Sequence, residues 1–175
     1  MLCQDPRGGM LSATSANSVE GFERALDDYL SFNNDPETLT DELLRDDPEF
    51  IMRHCFKAAL NLLAMERSTL DAVASSVANL DTLVESATDH EREHIAAIKT
   101  WFAGDLHGAV AHWERALLLN PRDMVAVRLC HDLAFFLGDS RNLRDTVGRV
   151  RSQWSEDTPG YGYLLGMHSF GLAGC

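Results

Sequence analysis

Apolar residues recur at three- and four-residue intervals along almost the whole of this 175-residue chain. Phe22, Leu26 and Tyr29 fall on one stripe, and Ile51, Cys55, Ala58, Leu62 and Met65 on another. That is the period of a helix with one buried face. No stretch alternates apolar and polar residues with β-branched enrichment, so no sheet is predicted. The periods and their breaks predict eight helices, over 18–33, 48–66, 69–87, 89–103, 106–119, 121–137, 140–153 and 159–172, with a short helical turn over 40–45. Asp47-Pro48, Asn120-Pro121 and Thr158-Pro159 each read as a capping side chain before a proline at the first helical position. Ser68-x-x-Asp71 reads as a weaker cap, and Thr88-x-x-Glu91 as a capping box. The links are short, so neighbouring helices are predicted antiparallel, stacked as hairpins.

A 34-residue repeat frame tests the stacking. With Pro121 on the proline of the tetratricopeptide pattern, Gly104, Ala109, Trp113 and Ala116 land where that pattern wants glycine, alanine, an aromatic and alanine. Gly104 is the tight turn, the alanines allow close helix approach, and Trp113 fills the gap to the next hairpin. Glu93, Ala96, Ala97 and Thr100 depart from the pattern in the first helix. One frame later Gly138 again falls on the turn position, so the repeat is present but degenerate. The fold class predicted is all-α: an α-solenoid of antiparallel, tetratricopeptide-repeat-like hairpins with about eight helices. Residues 1–17 read as a partly extended lead-in, with SATSANS as its capping region, and 18–175 as one helical domain.

The formal net charge of −12 argues against a nucleic-acid partner, which needs a basic stripe to displace counterions. Eleven acids stand between residues 20 and 49, among them Asp35, Glu37, Asp41 and Glu42, against Arg24 and Arg45. They read as a solvated face or a face for a basic partner. No run approaches the length of a membrane span, and the N-terminus lacks the basic and apolar parts of a secretory signal. Cys3, Cys55, Cys130 and Cys175 form no C-x-x-C pair and read as free thiols of a reducing, cytoplasmic protein.

The segment H-E-R-E-H, from His90 to His94, matches the H-E-x-x-H signature of zinc hydrolases. Histidines at i and i+4 share a helix face, Glu91 would polarise a zinc-bound water, and Glu114 stands where one zincin branch has its third ligand. Against this, Glu91 already belongs to the Thr88 capping box, His90 lies in a helix's first turn, and no substrate-binding strand is predicted. No catalytic residue, metal or cofactor is therefore assigned. His107 and His112 are five apart and share no helix face, so both read as surface histidines. His131-Asp132 reads as a hydrogen-bonded structural pair, with Asp132 able to hold Arg128 four residues earlier.

The stretch from Arg92 to Val150, with its turn glycines, NPRDMVAV and His131-Asp132 before FFLGD, together with the final YGYLLGMHSFGL, resembles the tetratricopeptide repeat protein 38 family. The resemblance covers roughly residues 10 to 173. Members of that family are typically more than twice this length, so the chain resembles its N-terminal part. The resemblance implies a binding solenoid and carries over no catalytic residues. The expected function is a protein–protein interaction module that holds a peptide or protein partner in a groove lined by first helices. The repeat frame points Glu91, His94, Ile98 and Trp101, and then Arg128, Asp132 and Phe135, toward that groove. The alternative is a self-associating module, a homodimer through the last helix, with Tyr161, Tyr163, Leu164, Met167, Phe170 and Leu172 at the contact. That helix is expected to be buried by a second copy or to fold back on the body.

Overall fold

The computed structural model describes residues 1–33, 41 and 45–174. The described residues form two short strands, β1 Leu2–Gln4 and β2 Met10–Ser12, and eight α-helices. These are α1 Ala16–Ser31, α2 Ile51–Leu63, α3 Leu70–Leu83 and α4 Asp89–Phe102. They continue with α5 Leu106–Leu119, α6 Met124–Leu137, α7 Ser140–Val150 and α8 Tyr161–Ala173. The fold is all-α apart from the terminal hairpin. α2 packs on α3, α4 on α5 and α6 on α7, while α5 against α6 and α7 against α8 join one pair to the next. This is the antiparallel hairpin stack that the period predicts. The turn predicted over 40–45 lies mostly outside the described residues, as do Asp35, Glu37, Glu42 and Cys175.

The repeat positions hold. Gly104 and Gly138 have φ of +92° and +67°, the left-handed region where glycine costs little. Ala109, Trp113 and Ala116 are completely buried. Trp113 stands edge-on to Trp101 with ring centres 5.8 Å apart.

The helix starts differ from prediction in a common way. All three prolines sit in turns just before their helices. Phe50 N–H donates to Asp47 O at 3.3 Å, Asp123 N–H to Asn120 O at 3.1 Å and Tyr161 N–H to Thr158 O at 3.0 Å. Proline's fixed φ suits the second position of such a turn as well as the first position of a helix, and here the turn wins. The Asp47 side chain accepts from Thr14 N–H at 2.9 Å instead of capping. Asp105, Asp123 and Asp139 do the capping of α5, α6 and α7. Ser68 caps no α-helix; it donates to Glu66 at the start of a 3₁₀ turn. Ser15 and Thr88 cap α1 and α4, Thr88 with Glu91 as a complete capping box.

The hairpin is a second departure. β1 and β2 pair antiparallel, Cys3 opposite Leu11. Asp5 closes the turn by accepting from Arg7 N–H at 2.9 Å and Gly9 N–H at 2.7 Å. Three-residue strands are too short to show alternation, so the sequence pattern does not reveal them.

The N-terminal segment lies across the first helices of the hairpins. Phe22 meets Phe50 and Phe56 edge-on at the start of α2 and within it. Ser12 of β2 bonds to Glu91 of α4. Tyr29 donates to Asp132 of α6 at 2.5 Å, and Tyr163 of α8 donates to Asp27 at 3.0 Å. The side of the stack formed by the first helices is thus covered in part by the chain's own β2 and α1.

Candidate functional site

The H-E-R-E-H segment opens α4, and each of its three signature residues has a structural partner. Glu91 is wholly buried. Its Oε1 accepts from Ser12 N–H at 2.7 Å, and its Oε2 from Ser12 Oγ–H at 2.7 Å and from Thr88 N–H and Oγ–H, both at 3.0 Å. His90 Nε2 and His94 Nε2 converge on Asp123 Oδ2, at 2.7 and 2.6 Å. Asp123 Oδ1 meanwhile accepts from Ala126 N–H at 3.0 Å and caps α6. One buried carboxylate therefore ties α4 to the start of α6.

His90, His94 and Asp123 bring three metal-ligand atoms within 4.8 Å of one another, so the donor set has to be tested against zinc. Two observations count against it. The Nε2···Oδ2 separations are hydrogen-bond distances, whereas tetrahedral ligands about 2.0–2.1 Å from zinc stand well over 3 Å apart. The indole N–H of Trp113 also donates to His94 Nδ1 at 3.1 Å. An indole nitrogen can only donate, so Nδ1 is the unprotonated nitrogen and Nε2 carries the proton given to Asp123. A histidine that ligates through Nε2 donates from its other nitrogen, the reverse of what is found. Glu114, the third ligand that spacing suggested, is on another surface with Thr146 and Arg149. Asp123, which takes its place geometrically, is signalled in the sequence only as an aspartate before the apolar run MVAV.

Burial alone would push the Asp123 carboxyl up. The neighbouring His94 and His90 outweigh burial and hold it well below the usual carboxylate range. Burial would likewise depress His90, but its bond to Asp123 and that group's charge raise it. A raised histidine contributes stability that is complete below its unfolded value of about 6.5 and is lost as pH rises through the folded value. The stability difference between wild type and His90→Gln is therefore expected to shrink from pH 5.5 to pH 9, measured by urea unfolding at both. A difference that grows with pH would contradict the assignment.

The groove residues divide between two environments. Glu91, His94, Ile98 and Trp101 are buried in the body and present no binding surface, because the N-terminal segment and α5 pack over α4. Arg128, Asp132 and Phe135 come together on α6. Arg128 Nε donates to Asp132 at 2.9 Å, and its guanidinium lies over the rings of Tyr29 and Phe32, 5.2 and 5.5 Å from their centres. The expected His131–Asp132 bond is not formed. Asp132 takes Tyr29 and Arg128, while His131 packs against the Phe170 ring of α8.

The self-association residues divide as well. Leu164 and Met167 are buried in the body, and Tyr161 and Tyr163 partly so, with Tyr163 held by Asp27. Gly171 lets α8 approach α7 so closely that a Cβ would stand 2.7 Å from Leu143 O. Phe170 and Leu172 remain exposed.

A cleft of about 320 Å³ opens where α6 and α8 meet the end of α1. Its walls include Phe32, Arg128, His131, Phe135, Met167 and Phe170. Phe32, Phe135 and Phe170 are 82%, 57% and 51% exposed. Phe32 also adopts φ of +54°, a conformation that bulky residues avoid. His131 is only 7% exposed, 5.6 Å from the Phe170 ring, and among the described residues its buried Nε2 has no hydrogen-bond partner. Burial, against the pull of Asp132, holds His131 below its ordinary pKa. A larger cleft of about 630 Å³ beside α2 and α3 is edged by the Lys57–Asp41 ion pair and by serine, threonine and asparagine side chains.

Among the described residues, no helix is long and apolar enough to cross a membrane. No protein-family model matches the chain, and no solved structure matches it.

Proposed function

We propose that this chain is a protein-binding helical-repeat module whose docking site is the cleft between α6 and α8. The observation that carries the reading is the set of exposed aromatic rings, Phe32, Phe135 and Phe170, around one concave site on a packed body. Large aromatics gathered in the open mark interaction surfaces, and aromatic anchors supply much of the affinity at such surfaces. The occupant is a segment of another protein. Resemblance to the tetratricopeptide repeat protein 38 family belongs to the same proposal, as does a cytoplasmic setting, which suits the buried free thiols of Cys55 and Cys130. No catalytic role is assigned, since Glu91 and both histidines of the zinc signature are committed to bonds within the fold.

The test is selection of a random dodecapeptide library on the wild-type chain, followed by binding to the Phe135→Lys/Phe170→Lys variant. Selected peptides are expected to lose about tenfold or more in affinity. Peptides that bind both proteins equally would place the docking site elsewhere.

Self-association has a narrower basis, the exposed Phe170 and Leu172 of α8. Sedimentation equilibrium of wild type and Leu172→Lys tests it. A dimer that the substitution dissociates would favour this reading over the first.

A further inference from the structure

We propose that the cleft between the β1–β2 turn and the turn before α6 binds the phosphate monoester group of a small molecule, with Arg122 as its main charge partner. This cleft shares no residue with the aromatic cleft of α6 and α8, so the two sites stand or fall separately.

Distant parts of the chain meet here. The β1–β2 turn brings Gly8 and Gly9, the start of α4 brings His90, and the turn before α6 brings Asn120 and Arg122. Gln153, from the 3₁₀ turn after α7, completes the polar wall. The space is about 530 Å³, within the range of about 300–1,000 Å³ usual for small-molecule sites. The glycines leave room for donors. Gly8 has φ of +90°, and a Cβ on it would stand 3.1 Å from Arg122 Nη2. A Cβ on Gly9 would stand 2.7 Å from Asn120 Nδ2. Asn120 Oδ1 accepts from Arg122 N–H at 3.2 Å, which leaves the amide nitrogen turned toward Gly9. Among the described residues, Asn120 Nδ2, the Arg122 guanidinium and the Gln153 amide make no hydrogen bond or ion pair. Arg122 and Gln153 are exposed and Asn120 is half-buried, so a ligand can reach these donors.

Charge selects an anion. The chain carries a formal net charge of −12, and the two clefts described above are edged by Asp41 and Glu49 and by Asp132. Among the described residues, no carboxylate lines this one. The acids behind its wall are committed. Asp5 accepts from Arg7 N–H and Gly9 N–H and lies 3.9 Å from the Arg7 guanidinium, while Asp123 holds both histidines. Burial opposes a charged His90 ring, but its bond to Asp123 outweighs burial and favours the imidazolium on the cleft wall.

A phosphate monoester fits this wall better than a carboxylate. Arginine grips either one bidentately, but a planar carboxylate is largely filled by one such fork. The tetrahedral group keeps further oxygens for Asn120 and Gln153. Met10, Leu119 and Pro121 give the cleft an apolar part for the carbon skeleton of the ligand.

The experiment is an NMR titration of the ¹⁵N-labelled chain with glycerol 3-phosphate at constant ionic strength, read at the side-chain N–H signals of Arg122, Asn120 and Gln153. Saturable shifts are expected at all three. Arg122→Gln is expected to weaken binding about tenfold or more, the worth of a hydrogen bond to a charged group. Arg24→Gln makes the same charge change at an exposed residue of α1 and is expected to leave binding as in wild type. Absence of saturation, or equal weakening by the two substitutions, would overturn the proposal. Acetate and a phosphoserine hexapeptide are titrated in parallel. Acetate bound as tightly as glycerol 3-phosphate would overturn the phosphate assignment. A phosphoserine peptide bound more tightly than glycerol 3-phosphate would overturn the small-molecule assignment and make the cleft a phosphoprotein site.

Discussion

Asp123→Ala is expected to cost about 3–5 kcal/mol of folding stability, the range for removing one partner from a buried polar cluster. For a chain of this length that lowers the melting temperature by roughly 10 °C or more, read by circular dichroism. The size follows from what the carboxylate holds. It caps α6 through Ala126 N–H and receives His90 and His94 from α4. Alanine would leave His94 Nε2–H buried without an acceptor, and Trp113 forbids moving that proton to Nδ1. Asp123→Asn separates the two roles. Asparagine is as good a helix cap, but its amide group would face the histidine donors. The Asn variant is expected to resemble the Ala variant rather than wild type, and full stability in it would reduce Asp123 to a cap. The same melting experiment with a chelator tests the metal alternative: a chelator-induced fall in the wild-type melting temperature would make the cluster a metal site.

Glu91→Gln is expected to destabilise by about 2–4 kcal/mol and to release the N-terminal hairpin. Glu91 accepts four bonds, two from Ser12 and two from Thr88, and glutamine would turn an NH₂ toward donors on one side. Amide hydrogen exchange should show lost protection at Met10–Ser12, beyond any uniform change from lower global stability. Unchanged protection there would mean that the hairpin is held by its apolar contacts, such as buried Leu11, and not by Glu91. The experiment also bears on the zinc signature. A hydrolase glutamate can become glutamine with the fold intact and the activity lost, whereas the structure makes the fold itself depend on the carboxylate.

Sequence and structure agree most where the information is local. The helical stripes, the turn glycines Gly104 and Gly138, the Thr88–Glu91 capping box and the Arg128–Asp132 pair are each specified within a few residues of chain. Periodicity and capping act over one or two helical turns, so a sequence displays them directly. The proline turns were legible as helix starts, though displaced, because the same fixed φ serves a turn or a first helical residue.

What decides function here is long-range. The bond between His94 and Asp123 spans 29 residues, that between Ser12 and Glu91 spans 79, and that between Tyr29 and Asp132 spans 103. The sequence determined by itself that the chain is a stack of helix hairpins, and it marked the apolar stripes of α1 and α2, except that Met65 falls beyond the end of α2 and is exposed. It did not determine that β2 and α1 would lie across the first helices, that Glu91, His94, Ile98 and Trp101 would be buried beneath the N-terminal segment and α5, or that Arg128, Asp132 and Phe135 would stand beside an open cleft. Nor did it show Phe32 and Phe170 meeting Phe135 there, since those residues come from α1's end, α8 and α6. An amphipathic stripe states that a face will be covered. Which segment covers it depends on the competition among all apolar faces for one another, and that competition is settled only in the packed tertiary structure.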